Sequence, residues 1–535
     1  MYMMKKWIVV IILACAMFVM ILDSTVMNVS IAKVVEDLHT TVSGLQMAIT
    51  FYALTMAALM LIGGKLGTKW GRLKAFRVGI IIFGVGALIT SLSPNILVLT
   101  IGWSFIEGLG GVLVIPAISA LVATNYTGRA RVTGYAIIGG ISGAAAAAGP
   151  LIGGFVTTYF SWRYIFFSEV FLMAIVFAFS YKIADIAPTV AEKAEKIDVK
   201  SALLSSIGMF ILVFGILQSK VWGWVIPHEE PILFGHPIAP LGISLVPYFI
   251  IAGIIILRFF WVRQQKLEKL NLNPLMKPSF FKSAQLRSGL SVWTAQYLIL
   301  AALFFALPVY LQMTLDYDAF DTGIKILPLS IAVIVAAMAG SRLVKFFSPR
   351  SIVRVGQLII VAGMLLLMGT VSLTLDNVLF GLGMAFVGIG LGLLASQLAN
   401  INMSTVKQNE TSEIGGLQGV AQNLGSTLGT AIVGSILIAS LTGTFVSNIN
   451  SSNLPDNVKN EVQQTQKIGI PIVSASQVNE YVQKSGVSSN EAQQITQIYS
   501  DSQITALRES LFVISIFGIA SLFFTGSIPN KKIIN

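Results

Sequence analysis

Fourteen stretches of this 535-residue chain are apolar and close to the length that crosses a bilayer as a helix. About 20 apolar residues are needed to cross about 30 Å of hydrocarbon. Only 11% of the residues are charged, against roughly 25% in a soluble domain. An all-α polytopic membrane protein is therefore expected. The predicted spans are Trp7 to Ile31, Leu45 to Leu66, Phe76 to Leu92, Ile96 to Ala123, Thr133 to Tyr159, Tyr164 to Tyr181, Ala202 to Leu217, Leu241 to Phe260, Gly289 to Leu311, Gly323 to Leu343, Ile352 to Leu373, Val378 to Ala399, Gly415 to Ala439 and Leu511 to Phe524.

Basic residues fall mostly on one side of these spans. With the amino terminus inside, only eight of the 35 Lys and Arg residues lie outside or at outer span ends: Lys33, Arg163, Lys220, Lys325, Lys459, Lys467, Lys484 and Arg508. Because cytoplasmic loops are rich in Lys and Arg, both termini are expected in the cytoplasm. No outer-membrane or organelle signal is evident in the sequence, so the plasma membrane is the expected location. The loops also account for the net charge of +11, so no nucleic-acid partner is expected.

A loop pattern indicates an internal duplication. The sequence Gly64-Lys65-Leu66-Gly67 follows the second span, and Gly340-Ser341-Arg342-Leu343 follows the tenth. Two six-helix halves that rock about a midplane site are a common transporter plan. We predict an amino-terminal half at 1–183, a linker with two inserted spans at 184–286, and a carboxy-terminal half at 287–535. A polar extracellular loop is expected at about 442–508.

Several kinds of chemistry lack the residues they need. Cys15 is the single cysteine, and the chain has only three histidines. No cysteine–histidine cluster that would bind zinc and no nucleotide-binding G-x-x-x-x-G-K-[ST] motif occurs. The sequence therefore predicts no enzyme, no metal site and no cofactor. The expected partners are a small molecule, protons and the bilayer, and the expected state is a monomer.

Three acids lie within the predicted spans: Asp23, Glu107 and Glu169. An ionised carboxylate in hydrocarbon costs several kcal/mol, so such an acid usually faces a cavity or a partner, or shares a proton. A site of this kind holds either a proton or a cation, and this competition is the basis of antiport. The alternative is a structural role, with Glu169 paired to Arg163 near the outer surface.

Neutral polar groups take the place of acids in the second half. Together with aromatic residues they are candidates for an apolar cavity that binds varied ligands. Each is also a possible helix-packing residue. The candidate cavity residues are Asn28, Trp293, Gln296, Tyr297, Gln397, Asn400, Gln422 and Asn423.

The fifth predicted span is rich in small residues, with Gly149, Pro150, Gly153 and Gly154 near its outer end. Small residues permit close helix contact, and a proline kinks a helix. We interpret this span as a hinge and seal between the halves. The alternative is generic helix packing.

Four segments resemble motifs of the major facilitator superfamily, in its fourteen-span drug:proton antiporter branch. Leu22 to Val29 is similar to the first-span motif L-D-x-T-x-x-N-V, and Gly149 to Gly154 is similar to the antiporter motif of the fifth span. Gly64 to Arg72 resembles the loop motif that latches the cytoplasmic gate, which implies gating roles for Gly64, Thr68, Gly71 and Arg72. Trp162 to Phe166 resembles the start of the sixth span. The resemblance implies two six-helix bundles with two inserted helices.

The chain also departs from the family pattern. Thr68 replaces the aspartate of the gate motif, so the charge-based latch is weakened or rebuilt. The arginine of the fourth-span motif is absent, and Glu107 has appeared nearby. Glu169 stands where the family usually has asparagine. The roles of Glu107 and Glu169 therefore rest on physical argument alone.

The leading hypothesis is a proton-driven exporter of amphipathic, cationic small molecules, because unpaired acids favour cations or protons. The first alternative is an exporter of one endogenous solute, such as a lipid precursor, a metabolite or a monovalent cation. The second is a membrane receptor or an integral membrane enzyme, although no soluble output domain or catalytic set of residues is evident.

Overall fold

The computed structural model describes residues 2–185, 197–227, 230–233, 236–465, 470, 472–484 and 487–531. Fourteen long helices, α1 to α14, dominate this part of the chain. Thirteen of them are long and apolar enough to cross a membrane, and α5 is the fourteenth when its two bent parts count as one span. The helices are Tyr2–Val29 (α1), Val42–Trp70 (α2), Arg72–Ser91 (α3), Ile96 to Asn125 (α4), Gly128–Tyr159 (α5), Arg163–Ser180 (α6), Val199–Trp222 (α7), Leu245–Lys269 (α8), Ala284 to Thr314 (α9), Ala319–Leu343 (α10), Pro349–Thr370 (α11), Asn377–Met403 (α12), Thr411–Ser451 (α13) and Ser489–Phe523 (α14).

The same helix pairs pack together in two groups. In the first group α1 packs on α5 and α6, α3 packs on α4 and α6, and α2 packs on α4. The corresponding pairs eight helices later, α9 with α13 and α14, α11 with α12 and α14, and α10 with α12, also pack together. The helices α1 to α6 and α9 to α14 are therefore two six-helix bundles of one design, as the sequence predicted. We call them the amino half and the carboxy half.

The two halves meet through equivalent helices. α5 of the amino half packs on α10 and α12, and α13 of the carboxy half packs on α2 and α4. The inserted helices α7 and α8 pack on each other, and α7 contacts both α2 and α13. Met209 and Val213 of α7 form a small apolar cluster with Leu54 and Ala57 of α2. The inserted pair thus covers one seam between the halves.

The amino-terminal end of α1 and the carboxy-terminal end of α14 lie on the same side of the bundle, which we call the terminal side. The opposite side, the loop side, carries the polar segment between α13 and α14. Much of that segment is helical, because α13 extends to Ser451, α14 begins at Ser489, and the helices Asp456–Thr465 and Ala475–Lys484 lie between them. The last span therefore begins as a helix well before the apolar stretch at Leu511. A two-residue β ladder pairs Ile232–Leu233 with His236–Pro237 between α7 and α8.

Candidate functional site

The three membrane-embedded acids meet at one point inside the amino half. Asp23 lies on α1, Glu107 on α4 and Glu169 on α6, and one carboxylate oxygen from each lies within 4.8 Å of the others. All three side chains are fully buried. The sequence predicted that these acids are embedded, but only the packing of three separate helices brings them together.

A tryptophan side chain donates a hydrogen bond to this acid cluster. The indole Nε1 of Trp103 donates to Oδ1 of Asp23 over 2.8 Å. The ring of Trp103 in turn stacks on Tyr52, with ring centroids 5.0 Å apart. The other oxygen of Asp23 and both oxygens of Glu107 and Glu169 have no hydrogen-bond partner among the described residues. Sequence reasoning missed Trp103, since nothing in its surroundings marked it as a partner of an acid.

The alternative in which Arg163 neutralises Glu169 is wrong. Arg163 instead pairs with Asp37, with Nη2 and Oδ2 2.8 Å apart. It also donates to the carbonyl of Ser93 over 2.6 Å, and Trp162 donates to the same Asp37 carboxylate. Arg163 therefore links the loop-side ends of neighbouring helices. The acid cluster has no basic partner among the described side chains.

A local irregularity in α4 sets the position of Glu107. Residues Thr100–Glu107 form a π-helical segment between two α-helical parts. Such segments are rare and occur often at functional sites. α3 packs closely here, because a Cβ atom added at Gly86 would lie 2.5 Å from the backbone nitrogen of Glu107. No periodic pattern in the sequence marks this change of helix type.

The acid cluster can bind protons or a small inorganic cation. Three carboxylates at this spacing repel one another strongly when ionised, and burial removes the water that would stabilise their charge. Protons shared among them relieve both costs, as does a cation bound by one oxygen from each side chain. Oxygen ligands of this kind suit hard cations, both monovalent ones such as Na⁺ and divalent ones such as Mg²⁺ and Ca²⁺, so the geometry also permits a metal site that the sequence did not predict.

A cavity lies between the two halves, beside but separate from the acid cluster. It has an empty volume of about 870 Å³, including the part open to solvent. Met17 and Ile21 of α1 line one wall, and four of the predicted cavity residues line the other: Trp293, Gln296, Tyr297 and Gln422. None of the three acids is among its lining residues.

The remaining cavity candidates lie elsewhere. Gln397 is buried between α12 and α10, where its Nε2 donates to the carbonyl of Gly340 over 3.1 Å. Asn400 accepts a 2.7 Å hydrogen bond from Nε of Arg131 across the two halves. Asn423 donates to the carbonyl of Gly419 in its own helix. The side chain of Asn28 lies outside the described residues.

The loop that resembles a gate motif contacts the other half on the terminal side. Gly64 lies against α13, where an added Cβ would be 2.7 Å from the carbonyl oxygen of Ser412. Gly71 has a φ of 94° between α2 and α3, a conformation that favours glycine. Arg72 pairs with Asp185, at 3.4 Å, and donates to the carbonyl of Gln408. Among the described residues, Thr68 donates to the carbonyl of Gly64 in its own helix.

A buried ion pair lies next to this loop. Nζ of Lys65 on α2 lies 3.0 Å from Oε1 of Glu413 on α13, and both side chains are at most 5% exposed. The pair joins the two halves where Thr68 has replaced the aspartate of the motif. Sequence reasoning missed it, because a lysine in a basic loop and a glutamate far along the chain carry no signal that they meet.

The small residues of α5 contact both halves. A Cβ added at Gly149 would lie 2.0 Å from Oγ1 of Thr25, and one at Gly153 would lie 3.2 Å from Val26 of α1. Earlier in the helix, Gly143 packs against Val333 of α10 in the carboxy half. The helix bends by 40° between Ala146 and Ala148. The ring of a proline clashes with the carbonyl of the residue four positions earlier, and for Pro150 that residue is Ala146, at the bend. Gly154 is buried.

The comparisons with known proteins agree with this architecture. The profile of the Major Facilitator Superfamily matches residues 13–430. The chain is 27% identical to a tetracenomycin C resistance and export protein of Streptomyces glaucescens, over 84% of this chain and 79% of that protein. It is 26% identical to a puromycin resistance protein of Streptomyces alboniger, over 81% and 82%, and 24% identical to a methylenomycin A resistance protein of Bacillus subtilis, over 81% and 88%.

Two solved structures share the fold. The human organic anion transporter MFSD10 superimposes with a TM-score of 0.60 at 10% identity, covering 97% of this chain and 99% of that one. The proton:xylose symporter XylE gives 0.55 at 12% identity, covering 99% and 98%. The chain thus belongs to the major facilitator superfamily, and it is a multi-span membrane transporter and not an enzyme.

Proposed function

We propose that this chain exports amphipathic small molecules across the plasma membrane in exchange for protons, by alternating access and with both termini in the cytoplasm. The observation that carries the proposal is the acid cluster. Three buried carboxylates, Asp23, Glu107 and Glu169, have no basic partner among the described side chains and form a site that takes up and releases protons as its access to water changes. An inward-moving proton gains about 2.3 kcal/mol per 100 mV, which is the driving force for export.

The named relatives support export as the direction of transport. Each of the three bacterial relatives is described as a resistance protein, and one as a resistance and export protein. At 24 to 27% identity these names support the class of activity and not a particular compound. The basic residues concentrated on the terminal side support the cytoplasmic placement of that side.

The structure changes the role that we assign to the acids. The sequence favoured cationic cargo because acids were expected to face the ligand. Instead, all three are fully buried and absent from the cavity lining. We therefore assign them to protons, with the Trp103 hydrogen bond holding Asp23 in place.

A second candidate function is exchange of a small inorganic cation for protons, as one form of the specific-solute exporter. The observation that favours it is the 4.8 Å spacing of the three oxygen ligands. In that case Na⁺ or K⁺ would elicit proton movement, and organic compounds would not.

The test is proton flux in inside-out vesicles with an acidic lumen and a pH-sensitive dye. Ethidium, chloramphenicol, NaCl and KCl are added in turn to wild type, Asp23→Asn and Asp501→Asn, the last being the same substitution at an exposed site. We expect an organic compound to release luminal protons in wild type and Asp501→Asn and not in Asp23→Asn. Equal release by folded Asp23→Asn would overturn the role of the acid cluster. Release by salt alone would favour the cation exchanger.

A further inference from the structure

The cavity contains hydrogen-bonding groups that the protein does not use. Nε1 of Trp293, Oε1 of Gln296 and both amide atoms of Gln418 are buried and have no hydrogen-bond partner in the described part of the chain. Gln296 is 7% exposed and Gln418 is 2% exposed. All three residues line the cavity, and all three belong to the carboxy half.

These unused groups are costly to the protein. A buried donor or acceptor without a partner costs about 1–3 kcal/mol. Unpaired buried amide atoms also occur outside the cavity, at Gln357, Gln397 and Asn402. Trp293, Gln296 and Gln418 differ from these residues because they line one shared space. Several unpaired groups around one cavity indicate a surface that binds a ligand.

The charge of the lining limits what that ligand is. Among the described lining residues, none is Asp, Glu, Lys, Arg or His. A cation that left water for this cavity would find no opposite charge, and the loss of its hydration costs several kcal/mol or more. Attraction to the aromatic faces of Trp293 and Tyr297 is worth about 0.5–2 kcal/mol, which does not offset that loss.

We propose that the cavity binds an uncharged amphipathic molecule that carries both hydrogen-bond acceptors and donors, held by Trp293, Gln296 and Gln418. An acceptor on the ligand would meet the indole N–H, and a carbonyl beside an N–H or hydroxyl would pair with the two amides. This identification of the ligand class rests on the proposed export function and deepens it. In this proposal the carboxy half binds the ligand, and the acid cluster of the amino half binds and releases the protons.

The test is equilibrium binding to the purified full chain in lipid nanodiscs, at one pH and without a gradient. The probes are radiolabelled chloramphenicol and linezolid, which are uncharged and carry amide and hydroxyl or carbonyl groups, with ethidium as the cationic probe. The variants are Gln418→Met and Gln296→Met. The matched control is Gln357→Met, because Gln357 is also a buried glutamine of the carboxy half with one unpaired oxygen, but it lies outside the cavity lining.

We expect an uncharged probe to bind, Gln418→Met and Gln296→Met each to weaken its binding about tenfold, and Gln357→Met to leave it within twofold. Because binding is measured without a proton gradient, binding of an uncharged probe together with no proton release in vesicles would be a failure of the proposed proton coupling and not of this inference. Gln296→Met keeps the test valid if Gln418→Met does not fold. The inference is overturned if ethidium alone binds, if neither uncharged probe binds folded protein at millimolar concentration, or if the cavity variants match the control.

Discussion

At the scale of single residues, Glu107 is held by a close helix contact that only glycine permits. A Cβ atom added at Gly86 would lie 2.5 Å from the backbone nitrogen of Glu107 and 2.8 Å from the Cβ of Glu107. Real Cβ atoms do not approach this closely, so any side chain at Gly86 forces α3 and the π-helical segment of α4 apart. A shift of that segment moves Glu107 relative to Asp23 and Glu169.

We therefore expect Gly86→Ala to lose proton-coupled transport at least tenfold and to lower stability by about 1–3 kcal/mol through overpacking. The matched control is Gly84→Ala on the same helix, where the nearest atom to an added Cβ is the Cβ of Met173 at 3.8 Å. Proton flux in vesicles and thermal unfolding of the purified protein measure the two effects. Flux and melting temperature at the wild-type level in Gly86→Ala would contradict this account of the cluster.

At the scale of elements, the inserted pair is held together by an ion pair at the beginning of α7. Asp198 caps α7 by accepting from the backbone N–H of Ser201, over 3.1 Å. Its two oxygens also accept from Nε and Nη2 of Arg263 on α8, over 2.6 and 2.7 Å. The Arg263 hydrogen bonds, with those from Ser201, hold the pKa of the Asp198 carboxyl at about 2, below its ordinary value of 3.8.

This lowered pKa predicts a pH dependence of stability. A carboxyl whose pKa is lower in the folded state stabilises the protein above its unfolded pKa, and the effect is lost as the pH falls towards the folded pKa. Asp198→Asn keeps a capping oxygen and removes the charge. We expect it to cost about 1 kcal/mol at pH 7, because the pair is 20–32% exposed and solvent screens it.

The difference in melting temperature between wild type and Asp198→Asn should stay constant from pH 7 to about 4 and shrink between pH 4 and 2. Glu480→Gln, in the exposed pair with Lys484, serves as the control and should have little effect at pH 7. A difference that persists unchanged at pH 2 would show that the substitution acts through something other than the charge.

At the scale of the whole molecule, the sequence was sufficient to predict the fold and insufficient to predict the site. A long apolar run identifies one spanning helix without reference to its neighbours, so the spans could be predicted from the sequence. The repeated loop pattern likewise indicated the two halves. Which side chains meet depends on helix rotation and tilt. The convergence of Asp23, Glu107 and Glu169 and the separation of Asn400 from the cavity depend on both. The π-helical segment of α4 alters rotation locally and carries no periodic signal of its own.

Several contacts join the two halves on the terminal side. Lys65 pairs with Glu413, Arg131 donates to Asn400, and Arg72 donates to the carbonyl of Gln408. Only the first of these contacts joins two opposite charges, and both of its members are almost fully buried. Removing one member of a buried ion pair costs about 3–5 kcal/mol. The pair forms only when the halves touch on the terminal side. Its loss would therefore destabilise the conformation that is closed on that side.

Glu413→Gln is therefore expected to shift the transporter towards conformations that are open on the terminal side and to slow export. Spin labels at Lys74 and Lys407, both exposed and in different halves, would report the shift as a larger share of long distances, in a Cys15→Ser background. The exchanged pair Lys65→Glu with Glu413→Lys should recover part of the short-distance population, because it restores opposite charges. If Glu413→Gln leaves the distances unchanged, closure rests on the close packing of Gly64 against α13 and not on charge.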